Sequence, residues 1–314
     1  MTTINTVLGP VETRDLGFTL MHEHVLVGFA GVYRDYPELF GDKPLDRAVD
    51  VLKRCKEGGI DTIVDATTTD LGRDIEMIAE ASRRSGVNII AVSGWWLDIP
   101  MFFRGASVEQ LADVFVREVE EGISGTGIKP GLLKSASDYG GVTPQAEVVL
   151  RAIGRAHLRT GLPIMIHSYS PGQVGKQQLG ILQEEGVDPG RVKFDHSNDT
   201  TDLEYLTWLL EQGCFLGLDR YPGRLVSHRA RTNTMKALID TGWADRLCPS
   251  HDSSTITFIG PDWQQAEEER KKYNPYGFLF MKEVVFAQLR DMGVNGDIID
   301  GLCVKGPRSF FEGK

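Results

Sequence analysis

The 314-residue sequence predicts an α/β protein of the closed (β/α)8, or TIM-barrel, class. Eight short β-rich runs alternate with amphipathic stretches, in units of about 25–45 residues that suit parallel βαβ connections. The length fits one barrel. Most of the helical stretches stop at glycine, which suits a left-handed C-cap before the chain re-enters a strand.

The elements follow in order. Leu8–Glu12 reads as part of a small hairpin at the barrel floor. Phe18–Leu20 is the first strand, in an apolar run through Met21. Leu45–Gly58 sets Ala48, Val51, Leu52 and Cys55 on one stripe and stops at Gly58-Gly59. Thr62–Ala66 is the second strand, and Ile75–Ser85 is a helix ended by Gly86. Asn88–Ser93, helix Val108–Ser124 and Gly131–Lys134 come next. Helix Pro144–Thr160 stops at Gly161, ahead of strand Pro163–His167. Helix Gln173–Glu185 stops at Gly186, ahead of strand Val192–His196. Helix Thr201–Gln212 opens on a Thr-Asp cap and precedes strand Cys214–Leu218. Helix Ala230–Thr241 precedes the eighth strand, Leu247–Ser250. Two tail helices follow, Phe278–Met292 and one near Ile298–Phe311. No low-complexity linker interrupts the chain, so residues 1–314 read as a single barrel domain with a short N-terminal hairpin. A doubly wound open sheet is the rival, but no Gly-x-Gly-x-x-Gly follows the first strand.

Composition narrows the function. Lys and Arg number 34 against 44 Asp and Glu, a net charge of −10. Phosphate backbones and anionic membrane surfaces call for clustered cations instead, so neither nucleic acid nor membrane is an expected partner. No run of about 18 apolar residues is present. Met1–Asn5 lacks a basic region before an apolar core, so no secretory leader is expected. Cys55, Cys214, Cys248 and Cys303 are scattered without a Cys-x-x-Cys, which reads as buried reduced thiols in a cytoplasmic protein.

The chemistry-bearing residues gather at strand ends. His22 and His24 are two apart on a strand, so both imidazoles share a face while Glu23 points away. Lys134 ends the fourth strand, His167 the fifth and His196 the sixth. Asp219-Arg220 ends the seventh and His251-Asp252 the eighth. Catalytic groups of a parallel barrel collect at these C-terminal strand ends. Neutral imidazoles and carboxylates suit zinc and other first-row divalent ions. Two close cations also need an anionic bridge, yet the fourth strand offers Lys134 and no carboxylate.

These motifs resemble the phosphotriesterase family of the amidohydrolase superfamily, its lactonase branch in particular. The resemblance runs from Gly9-Pro10 and Leu20–His24 through Gly131–Lys134, Gly186–Pro189, His196–Thr200 and Gly217–Tyr221 to Ser250–Asp252. It implies a metal-dependent hydrolase with two divalent ions, zinc first and cobalt, manganese, iron or nickel as alternatives. By resemblance His22, His24 and Asp252 hold the buried ion and His167 and His196 the more exposed one. Lys134, carboxylated on its amine, bridges the two. The implied catalytic residues are Asp252, Lys134 and Arg220, with Asp252 accepting a proton as a hydroxide shared by the two ions attacks. Trp96, Arg220 and Tyr221 are the implied substrate contacts. Arg220 stands where organophosphate-cleaving members carry a proton-relaying histidine, and this matches the lactonases. Gly94–Asp98 resembles the Gly-x-Trp segment of the organophosphate enzymes instead, and Ser253-Ser254 lacks the bulky neighbours common to both branches. The expected reaction is hydrolysis of lactones or related carboxylic esters with promiscuous phosphotriesterase activity. The alternatives are a primary triester hydrolase, a non-catalytic metal-binding barrel and a mononuclear deaminase-like relative. Partners are a small ester, lactone or phosphotriester and a second copy as homodimer.

Other polar residues carry plainer readings. His157 reads as a hydrogen-bonded structural histidine and His228 as a solvated loop residue. His251 and Asp195 precede ligands, so strand alternation turns them to the opposite face. Asp199 either caps the next helix or supports a ligand, and Asp65 either supports the site or caps a turn. Glu267–Lys272 reads as a solvated, i,i+4-paired helix.

Overall fold

The computed structural model describes residues 2–97, 99–223, 225–258 and 262–314, excluding the side chains of residues 257 and 258. Asp98 of the Gly94–Asp98 segment, Arg224 in the loop after the seventh predicted strand and residues 259–261 in the loop after the eighth lie outside the described residues.

The hairpin at the floor is β1 (Thr3–Thr6) paired antiparallel with β2 (Gly9–Glu12). The Val7 amide donates to the Ile89 carbonyl at 2.8 Å, which fixes the hairpin at the start of a barrel strand. The barrel strands are β3 (Thr19–Gly28), β4 (Thr62–Asp65), β5 (Asn88–Gly94), β6 (Leu132–Ser137), β7 (Ile164–Ser168), β8 (Val192–Asp195), β9 (Phe215–Leu218), β10 (Leu247–Pro249) and β11 (Ser254–Phe258). They form one parallel sheet in the order β10-β9-β8-β7-β6-β5-β4-β3-β11. The two ends of the sheet meet. Ser250 Oγ accepts from the His22 amide at 3.1 Å, and the Asp252 amide donates to the His22 carbonyl at 3.1 Å. β10 and β11 are thus two pieces of one eighth position, both running beside β3, and the sequence-predicted barrel is the observed one.

The helices alternate with these strands: α1 (Val32–Asp35), α2 (Pro44–Glu57), α3 (Ile75–Ser85), α4 (Val108–Glu121), α5 (Pro144–Thr160), α6 (Gly175–Glu184), α7 (Leu203–Glu211), α8 (His228–Asp240), α9 (Trp263–Tyr273), α10 (Phe286–Asp291), α11 (Gly296–Leu302) and α12 (Lys305–Glu312). Local chemistry sets their ends. Asp74, Thr143, Asp202 and Ser227 cap α3, α5, α7 and α8 through side-chain oxygens. Ser107 and Gln110 form a capping box on α4. Gly86 and Gly161 close α3 and α5 in the left-handed region.

Three expectations differ from the fold. The first strand runs four residues past His24, because β11 supplies its outer half with a hydrogen-bonding partner. The tail segment 278–292 includes a π-turn at Met281–Val285 before α10. The terminal helix is broken into α11 and α12 because Pro307 has no amide to donate back, and the Cys303 carbonyl accepts from the Thr19 amide at 2.7 Å instead.

Close packing leaves little room at the sheet. Gly94 has φ +143° and sits opposite Lys134, where an added Cβ would lie 1.9 Å from the Lys134 carbonyl oxygen. Gly94→Ala is therefore expected to lower the unfolding free energy by about 2 kcal/mol or more, read from urea denaturation.

His157 is the buried structural histidine foreseen, its Nδ1 2.7 Å from the Leu162 carbonyl. Burial lowers its pKa from the ordinary 6.5. The unfolded chain therefore takes this proton first as pH falls. Its stabilisation is complete above the ordinary histidine range and is lost on descent towards the lower folded value. His157→Gln should flatten that part of the acid limb when urea midpoints are compared between about pH 7.5 and about pH 5.

Candidate metal centre

At the C-terminal ends of the strands, His22, His24, Lys134, His167, His196, Arg220, Asp252 and Trp96 line one pocket of about 340 Å³. Every sequence-selected metal residue is in it. Tyr221 is not: it is buried in the core beneath β9, and it borders an adjoining cavity of about 400 Å³ that shares Arg220, Asp252, Ser253 and Arg270 with the first.

β3 delivers His22 and His24 to one face, as alternation requires. His24 Nδ1 is 2.8 Å from Thr67 Oγ1 and its Nε2 is 3.2 Å from Asp252 Oδ1. His22 Nε2 lies 3.4 Å from the same Asp252 oxygen. Glu23 points the other way and acts as a clamp. Its Oε1 accepts from Ser250 Oγ (2.8 Å), the His251 amide (3.0 Å) and His251 Nδ1 (2.6 Å), and its Oε2 accepts from the Ser253 amide (3.0 Å). That carboxylate fixes the segment on which Asp252 stands. His251 is thus out of the pocket shared by the ligands, as alternation foresaw. Asp65 supports the site from the next strand, accepting from the Val25 amide at 3.0 Å and the Thr67 amide at 2.8 Å.

Asp195 departs from the expected strand alternation and faces inward. β8 ends there and His196 turns into the left-handed region at φ +61°, so both side chains face inward. Asp195 Oδ2 lies 3.1 Å from His22 Nδ1, and Lys193 Nζ pairs with Asp195 Oδ1 in the fully buried interior. Lys193 and Asp195, two apart on one face of β8, were the available signal. Asp219 reaches the same place. Its Oδ1 accepts from the His196 amide (2.8 Å) and His196 Nδ1 (2.9 Å), and its Oδ2 lies 3.2 Å from His22 Nδ1.

Arg220 is half-buried between two acids. Its Nε donates to Asp252 Oδ2 at 3.1 Å and its Nη1 to Asp199 Oδ2 at 2.6 Å. Asp199 Oδ1 accepts from the buried Arg231 at 2.7 Å, while Asp202 caps α7, so Asp199 supports the site and is not the cap. Arg231 escaped the sequence reading because nothing in its helical setting distinguishes it. His228 is the first residue of α8, with its ring against Phe280, and is not a free loop residue.

Electrostatics follow from burial. Burial lowers Lys134, whose Nζ donates to the Ala66 carbonyl at 2.9 Å. Burial also lowers His167 and, more strongly, His196; one proton serves the 2.8 Å contact between His196 Nε2 and His167 Nδ1. For His22 burial acts downward, but the Asp195, Asp252 and Asp219 carboxylates raise it to about 9. Burial acts upward on Asp252, yet His22, His196, His24 and Arg220 hold it well below the usual carboxylate range.

The donor set fits divalent cations. His22, His196 and Asp252 bring ligand atoms within 4.8 Å of one another, and so do His22, Asp195 and Asp219. Among the described residues, His167 Nε2 and Asp219 Oδ2 are buried without a well-aligned hydrogen bond, the first 3.5 Å from Asp138 Oδ2 and the second 3.2 Å from His22 Nδ1. Buried polar atoms left unpaired cost stability unless a ligand satisfies them. Glu23→Gln is expected to lower the content of bound metal at least severalfold after loading and gel filtration, measured by elemental analysis, with the barrel still folded by circular dichroism.

Comparison with known proteins agrees with this geometry. Residues 2–311 match the family model "Phosphotriesterase family". A phosphotriesterase homology protein of Mycobacterium tuberculosis is 37% identical, with 99% of this chain and 98% of that protein covered. An aryldialkylphosphatase of Saccharolobus solfataricus is 36% identical over 96% of this chain and 97% of its own length. A human N-acetyltaurine hydrolase is 26% identical over 99% and 98%. The solved structure of the phosphotriesterase from Mycobacterium tuberculosis superimposes with a TM-score of 0.91 at 38% identity, covering 99% of this chain and 98% of that one. The barrel, the clustered His and Asp side chains and these matches make this chain a member of the phosphotriesterase family of hydrolases.

Proposed function

We propose that this hydrolase cleaves lactones or related carboxylic esters, with slower attack on organophosphate triesters. In this reading His22, His24 and Asp252 would hold one divalent ion, and His167 and His196 a second. Lys134, carboxylated on Nζ, would lie between them. Its buried amine suits that modification, because carbon dioxide adds to the neutral amine and burial disfavours the ammonium. Such ions, zinc first by donor type, supply Lewis acidity and water activated at neutral pH.

The observation that carries the choice of substrate is Arg220 on Asp252. Asp252 Oδ2, steadied by Arg220 Nε, keeps a second lone pair and takes up a proton as the carbonyl is attacked. A guanidinium does not release or accept protons at neutral pH, so Arg220 cannot pass this proton outward. The proton stays on Asp252 until the leaving group needs it. An alkoxide expelled from a lactone is strongly basic and needs that proton; an activated aryl phosphotriester expels a weak base and does not. Asp199 keeps Arg220 in place by the other end of its fork. Val27, Phe29, Leu71 and Trp96 give the pocket an apolar wall for an acyl chain. Trp96 also supports the second reading, triesters first, since an aromatic wall suits an aryl leaving group.

The deciding measurement compares kcat/KM for an acyl-homoserine lactone, a simple aryl ester and a phosphotriester on one metal-loaded sample. The lactone or ester is expected to lead. A leading triester favours the second reading, and no turnover of any of them favours a non-catalytic barrel. Chelation should abolish activity and metal return should restore it. Lys134→Ala is expected to lower kcat by 100-fold or more and to reduce metal content, with partial rescue by short carboxylic acids. Full activity in that variant would reject the bridging role.

A further inference from the structure

Two guanidinium groups stand at the pocket, and they differ in how their charge is used. Arg220 is spent on Asp199 and Asp252. Arg270, from α9, lines the 340 Å³ pocket, the adjoining 400 Å³ cavity and a side groove of about 720 Å³. Its Nη1 donates to the Ser254 carbonyl at 2.5 Å and to Ser254 Oγ at 3.2 Å. Among the described residues it makes no ion pair, and its Nε and Nη2 make no hydrogen bond. The acid one turn before it, Glu267, is bound to Lys271 at 2.7 Å. The expected i,i+4 pairing at Glu267–Lys272 therefore holds for that pair, but the expected solvation does not hold for Glu267, which is largely covered, or for Arg270, which turns to the barrel.

The position of Arg270 is set by its surroundings. Ser254 opens β11, which is hydrogen-bonded along β3 beside His24. Further along α9, Tyr273 donates its hydroxyl to the Gly223 carbonyl and ties the helix to the segment after β9. Desolvating an unpaired guanidinium is costly, and an arriving anion offsets that cost. A planar guanidinium with Nε and Nη2 free presents two parallel donors, the fork that matches a carboxylate, sulfonate or phosphate edge. Burial lowers the Arg270 pKa, and only Glu267 opposes it, in keeping with a cation that lacks a close anion.

We propose that Arg270 is an anion subsite at the rim of the pocket, and that the substrates this enzyme selects carry an oxyanion group apart from the bond that is cleaved. The proposal rests on the hydrolase reading above for its substrate and on the geometry of Arg270 for its ligand. The apolar wall with Trp96 takes one part of the molecule, and the fork of Arg270, over the eighth strand position, takes the charged part.

The test uses p-nitrophenyl butanoates that carry hydrogen, carboxylate, sulfonate or phosphate at C4, on metal-loaded wild type, Arg270→Gln and Arg270→Lys. Wild type is expected to prefer at least one anionic ester over the neutral one about tenfold in kcat/KM, and the best of the three identifies the group. Arg270→Gln should reduce that ratio tenfold or more, and Arg270→Lys should retain part of it. A wild-type ratio at or below one, or the same ratio in Arg270→Gln, overturns the proposal. Independently, propane-1-sulfonate is titrated into each protein by calorimetry, with weakening of fivefold or more expected in Arg270→Gln and equal affinity counting against the subsite. If no ester is hydrolysed the reaction has been misassigned, and the titration alone then decides on Arg270. If Arg270→Gln does not fold, Arg270→Lys against wild type decides in both measurements.

Discussion

One carboxylate, that of Asp219, touches the Nδ1 edges of two histidines on different strands. It accepts from His196 through Oδ1 and faces His22 through Oδ2. An imidazole bound at Nδ1 keeps its Nε2 lone pair for a cation, and its ring cannot swing. Asp219 therefore sets the tautomer of His196 and joins the supports of the two ligand groups. Its neighbour in sequence, Arg220, fixes Asp252. Two adjacent residues at the end of β9 thus organise groups drawn from β3, β8 and the β10–β11 segment.

This arrangement buries many charges in a small volume, and the barrel tolerates them because they are interlocked. Lys193 neutralises Asp195, Arg231 and Arg220 share Asp199, and Glu23 is bound by four donors. Removing a single partner from such a network costs more than any pair contributes, because the remaining charge cannot reach water. The apolar residues of the sheet and helices pack in three clusters, with Phe194 and Leu216 in one, Leu20 in the second and Phe215 in the third, all fully buried.

Much of this was legible in the sequence for a definite physical reason. Period-2 strands, 3.6-period helices and glycine stops are local, and they located eight of the nine barrel strands and most of the helices between them; β11 was missed, because its pairing with β3 is a tertiary contact. The ligand histidines were legible because parallel barrels expose strand ends on one face. Asp195 was not, since alternation was counted through His196, whereas the strand ends at Asp195 and the left-handed turn at His196, set by tertiary contacts, lets both side chains face inward. Arg270 was hidden for the opposite reason: its local pattern of alternating charge is that of a solvated surface, and only the path of β11 turns the residue inward. Tyr221 was placed against substrate by the family resemblance; its ring is buried and borders the adjoining cavity, outside the pocket of the ligand set.

The division of the eighth barrel position into β10 and β11 has an evolutionary consequence. Asp252 lies in the gap, at φ +51°, with the chain hydrogen-bonded to β9 before it and to β3 after it. Both flanks of the acid are therefore moored to the scaffold. Insertions or deletions beyond Phe258 can remodel the entrance without displacing Asp252. A lineage built this way can trade one substrate for another at its rim while its chemistry stays insulated below.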